Sequence, residues 1–491
     1  MDGLECDKRI VRVGSRKSQL ALVQTHTVVD MLQEHYPDVE FKVITMSTKG
    51  DQILDQPLSK IGEKSLFTKE LEIALEDLKV DIVVHSLKDL PSTLPPGMAI
   101  GAVLERDSPY DCVAFSSSKH KGKSMTLADL PKDAVVGTSS LRRVAQIQKK
   151  YPHLKFADIR GNLNTRLRKL DDASGIYDAI IVAEAGLARM GWHDRVGEVL
   201  SDSWCMYAIS QGAMAVECRS FDLETLDLLA PLTHRTTLLR CLAERALLRT
   251  LEGGCSVPIA VSSQVDDEDT LTLTGGVYSL DGSESIVLTD TTHISNESTP
   301  TKLVSTDSEN SEPSSKRQRR LSCPYSEVVQ GHKVNSGAVS SKYLTVKRKD
   351  CPYFSGIICR ALPHNLLEKA ENVGVSVARM LQDQGATAIL TKAKSENEKL
   401  KAIMEEERRL NIANQNLLEN VKQEVVKAAG SDCTAVDAIK KAIKDHGTIR
   451  EGLSNGVTNG DAPKVQATTS ASSVDTPTAT IDTPAKCPVK H

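Results

Sequence analysis

From Ile10 to about Cys218 the apolar positions of the chain switch repeatedly between a period of two and a period of three to four. Residues 11–13 read as a strand, 18–35 have helical spacing, 41–46 read as a strand, 68–78 as a helix and 82–85 as a strand. Such alternation predicts a parallel sheet covered by helices. The pattern restarts at Val135, passes through a helix over 141–150 and returns to a strand over 179–183, which predicts a second α/β domain. From about residue 234 the rhythm changes. Residues 238–251 are strongly amphipathic and helical, 259–262, 270–274 and 285–288 alternate as antiparallel strands do, and 366–382 is helical again. The fold class expected is α/β, with two α/β domains and a smaller α+β third domain.

The pattern fails in two places. Residues 292–350 are rich in Ser, Thr, Asn, Lys and Glu and poor in apolar side chains, so burial cannot offset the entropy of ordering them. They read as a disordered insertion, and the Thr-, Ser-, Ala- and Pro-rich tail over 451–491 reads the same way. Residues 393–450 read as a helical extension of unknown partner, with Leu400, Ile403, Met404, Leu410, Leu417, Leu418 and Val421 near helical spacing. A length of 491 residues suffices for two or three domains with proper cores. The formal net charge of -4 excludes a bulk attraction to nucleic acid, so clustered arginines must act locally. Eleven cysteines without a Cys-x-x-Cys pair argue against a disulfide framework and against structural zinc, and no metal is expected. The short acidic amino terminus carries neither a signal-peptide core nor an Arg- and Ser-rich transit sequence, and no apolar run is long enough for a membrane. A cytoplasmic protein with no membrane partner is expected.

Three stretches carry candidate chemistry. Val135-Val136-Gly137 ends a buried strand, and Thr138-Ser139-Ser140 offers hydroxyls and backbone N–H groups where the next helix begins, just before Arg142 and Arg143. With Arg160, Arg166 and Arg168 nearby in sequence, five arginines surround two turns, a receptor for several carboxylates at once. One arginine alone would read as a solvated helix face; five shift the balance. Next, the apolar strand over 82–85 runs into the loop Ser86-Leu87-Lys88-Asp89-Leu90-Pro91 after His85, and binding groups of open α/β sheets sit at such carboxyl ends. Lys88 and Asp89 by themselves read equally well as a surface ion pair. Finally, Gly253-Gly254-Cys255-Ser256-Val257-Pro258 presents a cysteine on a loop freed by two glycines and stiffened by a proline, although most cysteines are small buried hydrophobes.

On these stretches, residues 10–290 resemble the porphobilinogen deaminase family of tetrapyrrole biosynthesis, also called hydroxymethylbilane synthases. The matching motifs also include Val13-Gly14-Ser15-Arg16-Lys17-Ser18-Gln19-Leu20-Ala21 and Lys60-Ile61-Gly62-Glu63-Lys64-Ser65-Leu66-Phe67-Thr68-Lys69-Glu70-Leu71. The resemblance implies two periplasmic-binding-protein-like domains, 1–106 with 209–233 and 107–208, with the substrate cleft between them. The third domain, over 234–291 and 351–392, is expected to present Cys255, and a monomeric core is expected.

The implied reaction is head-to-tail condensation of four porphobilinogen molecules into hydroxymethylbilane, a transferase chemistry that releases ammonia. Growth is primed by a dipyrromethane attached to Cys255 through a thioether. Porphobilinogen carries an acetate and a propionate, so a growing chain accumulates carboxylates, to which bidentate arginine is suited. By resemblance, Arg16, Arg142, Arg143, Arg160, Arg166 and Arg189 contact carboxylates of cofactor and substrate, helped by Ser15, Gln19, Ser86, Lys88, Thr138, Ser139 and Ser140; Arg168 falls outside that assignment. Asp89 matches the carboxylate that stabilises the cation left after loss of ammonia and shuttles protons. Lys64 and Phe67 match a mobile lid. A solute-binding or transcriptional effector module would share fold and arginines but require neither Asp89 nor a modified Cys255. The basic run Lys316-Arg317-Gln318-Arg319-Arg320 is weak support for nucleic-acid binding in an acidic protein, and no nucleic-acid partner is expected; a localisation signal, a kinase-docking segment or phosphorylation at Ser322 fits it as well.

Overall fold

The computed structural model of the chain describes residues 9–48, 68–122, 124–251, 257–295 and 353–429. Lys64, Phe67, Cys255, Ser322 and residues 430–491 lie outside the described residues, as does the insertion from residue 296 on.

Ser18 accepts a hydrogen bond from Ala21 N and so starts α1 (Gln19–His35) between β1 (Ile10–Arg16) and β2 (Glu40–Met46). The first sheet continues through α2 (Lys69–Glu76), β3 (Ile82–Ser86) and β4 (Met98–Val103). The chain then builds a second sheet from β5 (Asp111–Phe115), β6 (Val135–Gly137), α3 (Leu141–Lys150), β7 (Lys155–Ala157), α4 (Leu163–Asp171), β8 (Ala179–Ala183), α5 (Glu184–Arg189) and β9 (Glu198–Leu200). It returns to the first through β10 (Met214–Arg219) and α6 (Leu223–Leu229). α7 (Arg235–Thr250) leads to an antiparallel sheet of β11 (Ile259–Val265), β12 (Thr270–Tyr278) and β13 (Ser285–His293). β14 (Tyr353–Phe354), β15 (Ile357–Ile358), α8 (His364–Asp383) and α9 (Ala386–Ala429) follow. Residues up to Met404 form one compact unit, and a second begins at Glu405.

The first two sheets are mixed, which corrects the expectation of parallel sheets. The first has the order β14-β15-β4-β10-β3-β1-β2, with β10 antiparallel to both neighbours; the second has the order β7-β6-β8-β5-β9, with β5 antiparallel to both of its own. β10 and β5 are the strands reached by crossing from the other sheet, whereas β14 reverses through its hairpin with β15. A helical crossover within one sheet enforces parallel pairing; an arrival from outside does not.

Period two places Ile82 and Val84 on one face of β3, beneath Val28 and Leu32 of α1 and Leu226 and Leu229 of α6. Val83 faces the other way, into a core shared with Leu71 and Leu75 of α2, Leu239 and Leu242 of α7 and Leu381 of α8. The third domain therefore packs on the first without a break in the core.

Three expected boundaries move. Residues 353–358, expected in the third domain, form the edge of the first sheet instead, where Ile357 pairs with Ile100. Burying Phe354, Ile357 and Ile358 there stabilises by about 1.5–3 kcal/mol each, enough to hold two-residue strands in place. The insertion expected from 292 starts later, because β13 reaches His293 and Ile294 is fully buried. The helix expected from 393 begins at Ala386, directly after Gly385 takes the left-handed step at φ 98° that ends α8. Leu400, Ile403 and Leu410 along it are exposed.

Candidate active site

The catalytic-loop candidate is fixed from below by apolar anchors. β3 is buried along Ile82–Val84, and Leu87 plugs the core as the chain makes one 3-10 turn over Leu87–Asp89. Leu87 N donates to Ala213 O at 2.9 Å and Leu90 N to Leu87 O at 3.2 Å. With Leu87 and Leu90 buried, Lys88 and Asp89 are left exposed. Asp89 lines a small pocket with Arg16, Gln24, Thr68, His85 and Ser86. Ser86 Oγ accepts from Gln24 Nε2 at 2.9 Å. Behind this loop His85 Nε2 and Glu217 Oε2 lie 2.9 Å apart, both side chains buried.

The second sheet supplies the cations. Thr138 Oγ1 accepts from Ser140 N at 3.2 Å, Ser139 Oγ donates to Ile159 O at 3.1 Å, and Ser140 is the N-cap of α3. Arg142 Nη1 donates to Met206 O at 2.7 Å and lies 2.8 Å from Asp111 Oδ2. Arg143 donates to Ile181 O at 2.7 Å and to Asp111 Oδ1 at 2.6 Å. Burial alone would raise Asp111, but these two guanidinium groups hold its carboxyl far below the ordinary range. Arg160 is buried, and Arg166 Nε donates to Gly161 O at 2.9 Å. Loss of water, then the nearby charges of Arg143 and Arg160, push Arg166 down to about 10 against the pull of Asp89.

Lys88 spans the gap between the sheets, its Nζ donating to Gln211 Oε1 at 3.4 Å. Lys88 is exposed as a residue, and its ammonium lies among the charges of Asp89, Asp111, Arg142 and Arg143. Desolvation first, with Arg143 and Arg142 adding and Asp89 and Asp111 opposing, pushes it down to about 8. Five cations, Lys88, Arg142, Arg143, Arg160 and Arg166, thus surround two carboxylates, Asp89 and Asp111.

Not every candidate residue faces this cluster. Ser15 is fully buried; its hydroxyl accepts from Thr25 Oγ1 at 2.8 Å and donates to Arg16 O at 3.1 Å, so it shapes the β1–α1 turn. Gln19 Oε1 accepts from Asn164 Nδ2 at 2.6 Å, a link between α1 and α4. Arg189 donates to Asp107 Oδ2 at 2.7 Å and Gly212 O at 2.5 Å, holding the two crossing segments together. Arg168 is exposed on α4. Two residues not singled out from the sequence organise the cluster. Asp111 pairs both arginines of α3, and Gln211 donates to Asp111 Oδ1 at 2.9 Å while accepting from Lys88. The readable signal was a polar residue beside or within a short apolar strand, as Asp111 stands in Asp-Cys-Val-Ala-Phe and Glu217 in Met-Ala-Val-Glu-Cys-Arg.

A family described as "Porphobilinogen deaminase, dipyromethane cofactor binding domain" matches residues 11–227, and one described as "Porphobilinogen deaminase, C-terminal domain" matches 238–306. The porphobilinogen deaminase of Gloeobacter violaceus is 56% identical over 275 residues, which cover 56% of this chain and 82% of that protein. Those of Synechococcus elongatus and Dictyostelium discoideum are 56% and 49% identical, over 84% and 86% of their lengths and 56% of this chain in each case. Among solved structures, the periplasmic VFT2 domain of Bordetella pertussis BvgS is similar at 12% identity and a TM-score of 0.29, covering 45% of this chain and 86% of that one. Two matched domains that together span most of the described residues, and relatives covered over more than four fifths of their length, make the conclusion direct: the chain belongs to the porphobilinogen deaminase family.

Proposed function

We propose that this chain is a porphobilinogen deaminase, a transferase that condenses four porphobilinogen molecules head to tail into hydroxymethylbilane and releases one ammonia at each step. The observation that carries the reading is the excess of cations around one exposed carboxylate. Lys88, Arg142, Arg143 and Arg166 gather beside Asp89 and Asp111, and bidentate guanidinium groups so gathered suit the carboxylate pairs of an oligopyrrole. A solute-binding module would share the arginines, but the exposed Asp89 beside them has no use in holding a polyanion and repels it.

The donor set also fits a dipyrromethane, whose four carboxylates need cations on both sides of the cleft. Cys255 is the attachment point proposed, through a thioether; it lies outside the described residues, between α7 and β11. When bound, the dipyrromethane supplies the pyrrole from which the chain grows. Lys88 and Arg166 hold carboxylates, as does Arg16 from the Asp89 pocket. Arg142 and Arg143 keep one edge each on Asp111 and on backbone carbonyls, which orients the rest of each fork. Asp89 serves the proton at the leaving amine, faces the cation formed when ammonia departs, and accepts the proton that the attacked pyrrole carbon gives up as the new C–C bond forms. Thr138, Ser139 and Ser140 place the N-terminal end of α3 beside the same carboxylates, and Lys64 and Phe67 are proposed as lid residues. Cys112, Cys205, Cys218, Cys241 and Cys359 are free thiols, as in a reducing compartment, which supports a cytoplasmic location.

The test is incubation of the purified chain with porphobilinogen. One ammonia per pyrrole consumed, with a linear tetrapyrrole as product, is expected; tight binding of porphobilinogen without ammonia release would favour a binding module instead.

A further inference from the structure

Arg245 stands in the middle of α7 and is 1% exposed, the largest fully buried side chain among the described residues. None of the described carboxylates forms an ion pair with it. Its guanidinium is spent on three backbone carbonyls: Nη2 donates to Pro91 O at 2.6 Å, Nη1 to Leu90 O at 3.2 Å and Nε to Ser355 O at 3.1 Å. Leu90 and Pro91 are the two residues that follow Asp89. Ser355 and Gly356, at φ 46° and 91°, are the paired positive-φ positions that a two-residue type I′ hairpin demands, here the turn between β14 and β15.

Enclosing a cation without a counter-charge is costly, and an apolar side chain of the same length would fill the space without that cost. What an apolar residue cannot do is satisfy three buried oxygens arriving from different directions. A lysine ammonium lacks the planar fork that reaches two neighbouring carbonyls at fixed angles. Loss of water holds Arg245 down to about 10, in keeping with a cation kept for its geometry. The same helix ends at Thr250, and Cys255 follows five residues later. At its other end the loop is pinned by Leu87 N on Ala213 O.

We infer that Arg245 is a positioning residue for Asp89, fixing the far end of the loop over residues 86–91 against α7 and so holding the carboxylate in register with the helix that leads to Cys255. The effect on turnover rests on the deaminase reading; the effect on the loop does not.

The test compares wild type with Arg245→Lys and Arg245→Gln in the full chain. It uses ammonia release from porphobilinogen, melting temperature, and hydrogen exchange of the amides of residues 87–90. Both variants are expected to exchange faster at those amides. With melting temperatures within a few degrees of wild type, kcat should fall about tenfold or more while KM stays within about threefold, since a misplaced catalytic group costs rate rather than binding. Unchanged exchange, or a kcat that falls only in proportion to the unfolded fraction, overturns the inference. Wild type that releases no ammonia overturns the deaminase reading instead, and faster exchange in the variants still upholds the pinning of the loop. Should Arg245→Gln fail to fold, Arg245→Lys decides alone.

Discussion

Asp89 and Lys88 stand side by side on one 3-10 turn and carry different halves of the proposed chemistry. Asp89→Asn keeps the size and removes the charge that faces the cation. Ammonia release should fall roughly 10²–10⁴-fold, the range for a lost acid–base group, while porphobilinogen still binds; near wild-type turnover would remove Asp89 from the mechanism. Lys88 predicts a pH dependence whose sign follows from its depressed pKa. The ammonium is cationic below about 8 and neutral above it, so a carboxylate it holds is lost as pH rises. The ratio kcat/KM, which reports the free enzyme, should decline through about pH 8, and Lys88→Arg should remove that decline. The Asp89 loop was legible in the sequence because two charges follow an apolar strand at its carboxyl end. Asp111 and Arg245 were not, because their roles exist only through partners far along the chain: Arg143 lies 32 residues from Asp111, and Leu90 lies 155 from Arg245.

α3 shows how an element aims its side chains. Its arginines are held from inside by Asp111, and its outer surface meets the β12–β13 turn, where Gly282 sits at φ 74°. Asp111→Asn leaves two buried guanidinium groups without their carboxylate, and the expected loss is about 3–5 kcal/mol in urea denaturation; a loss below about 1 kcal/mol would mean that the arginines reach solvent and need no partner. A Cβ on Gly282 would lie 2.0 Å from Ala145 O. Gly282→Ala should therefore lower stability by more than the roughly 1–2 kcal/mol of left-handed strain, and a melting temperature equal to wild type would contradict that packing. Helices α1 and α3 were legible because their periodicity and caps are local. The antiparallel placement of β5 and β10, and the docking of β14 and β15 on the first sheet, were not. Pairing is decided by which strand edge is open, and no local period records that.

Across the molecule, α7 joins what the sequence presents as separate features. Its Glu244 accepts from Arg106 at 2.6 Å and from Ser210 N at 2.6 Å, tying both crossings between the first two sheets to the third domain. Its Arg245 holds the loop of Asp89, and Cys255 follows its end. Attachment of a primer at Cys255 would thus tether the growing chain five residues beyond the helix that also anchors the Asp89 loop and both crossings. An intact mass of the purified protein examines that arrangement. The chain should be heavier than its sequence by one dipyrromethane, and Cys255→Ala should lose both the added mass and the ability to release ammonia from porphobilinogen. A wild-type protein that turns over porphobilinogen at its bare sequence mass would contradict the account.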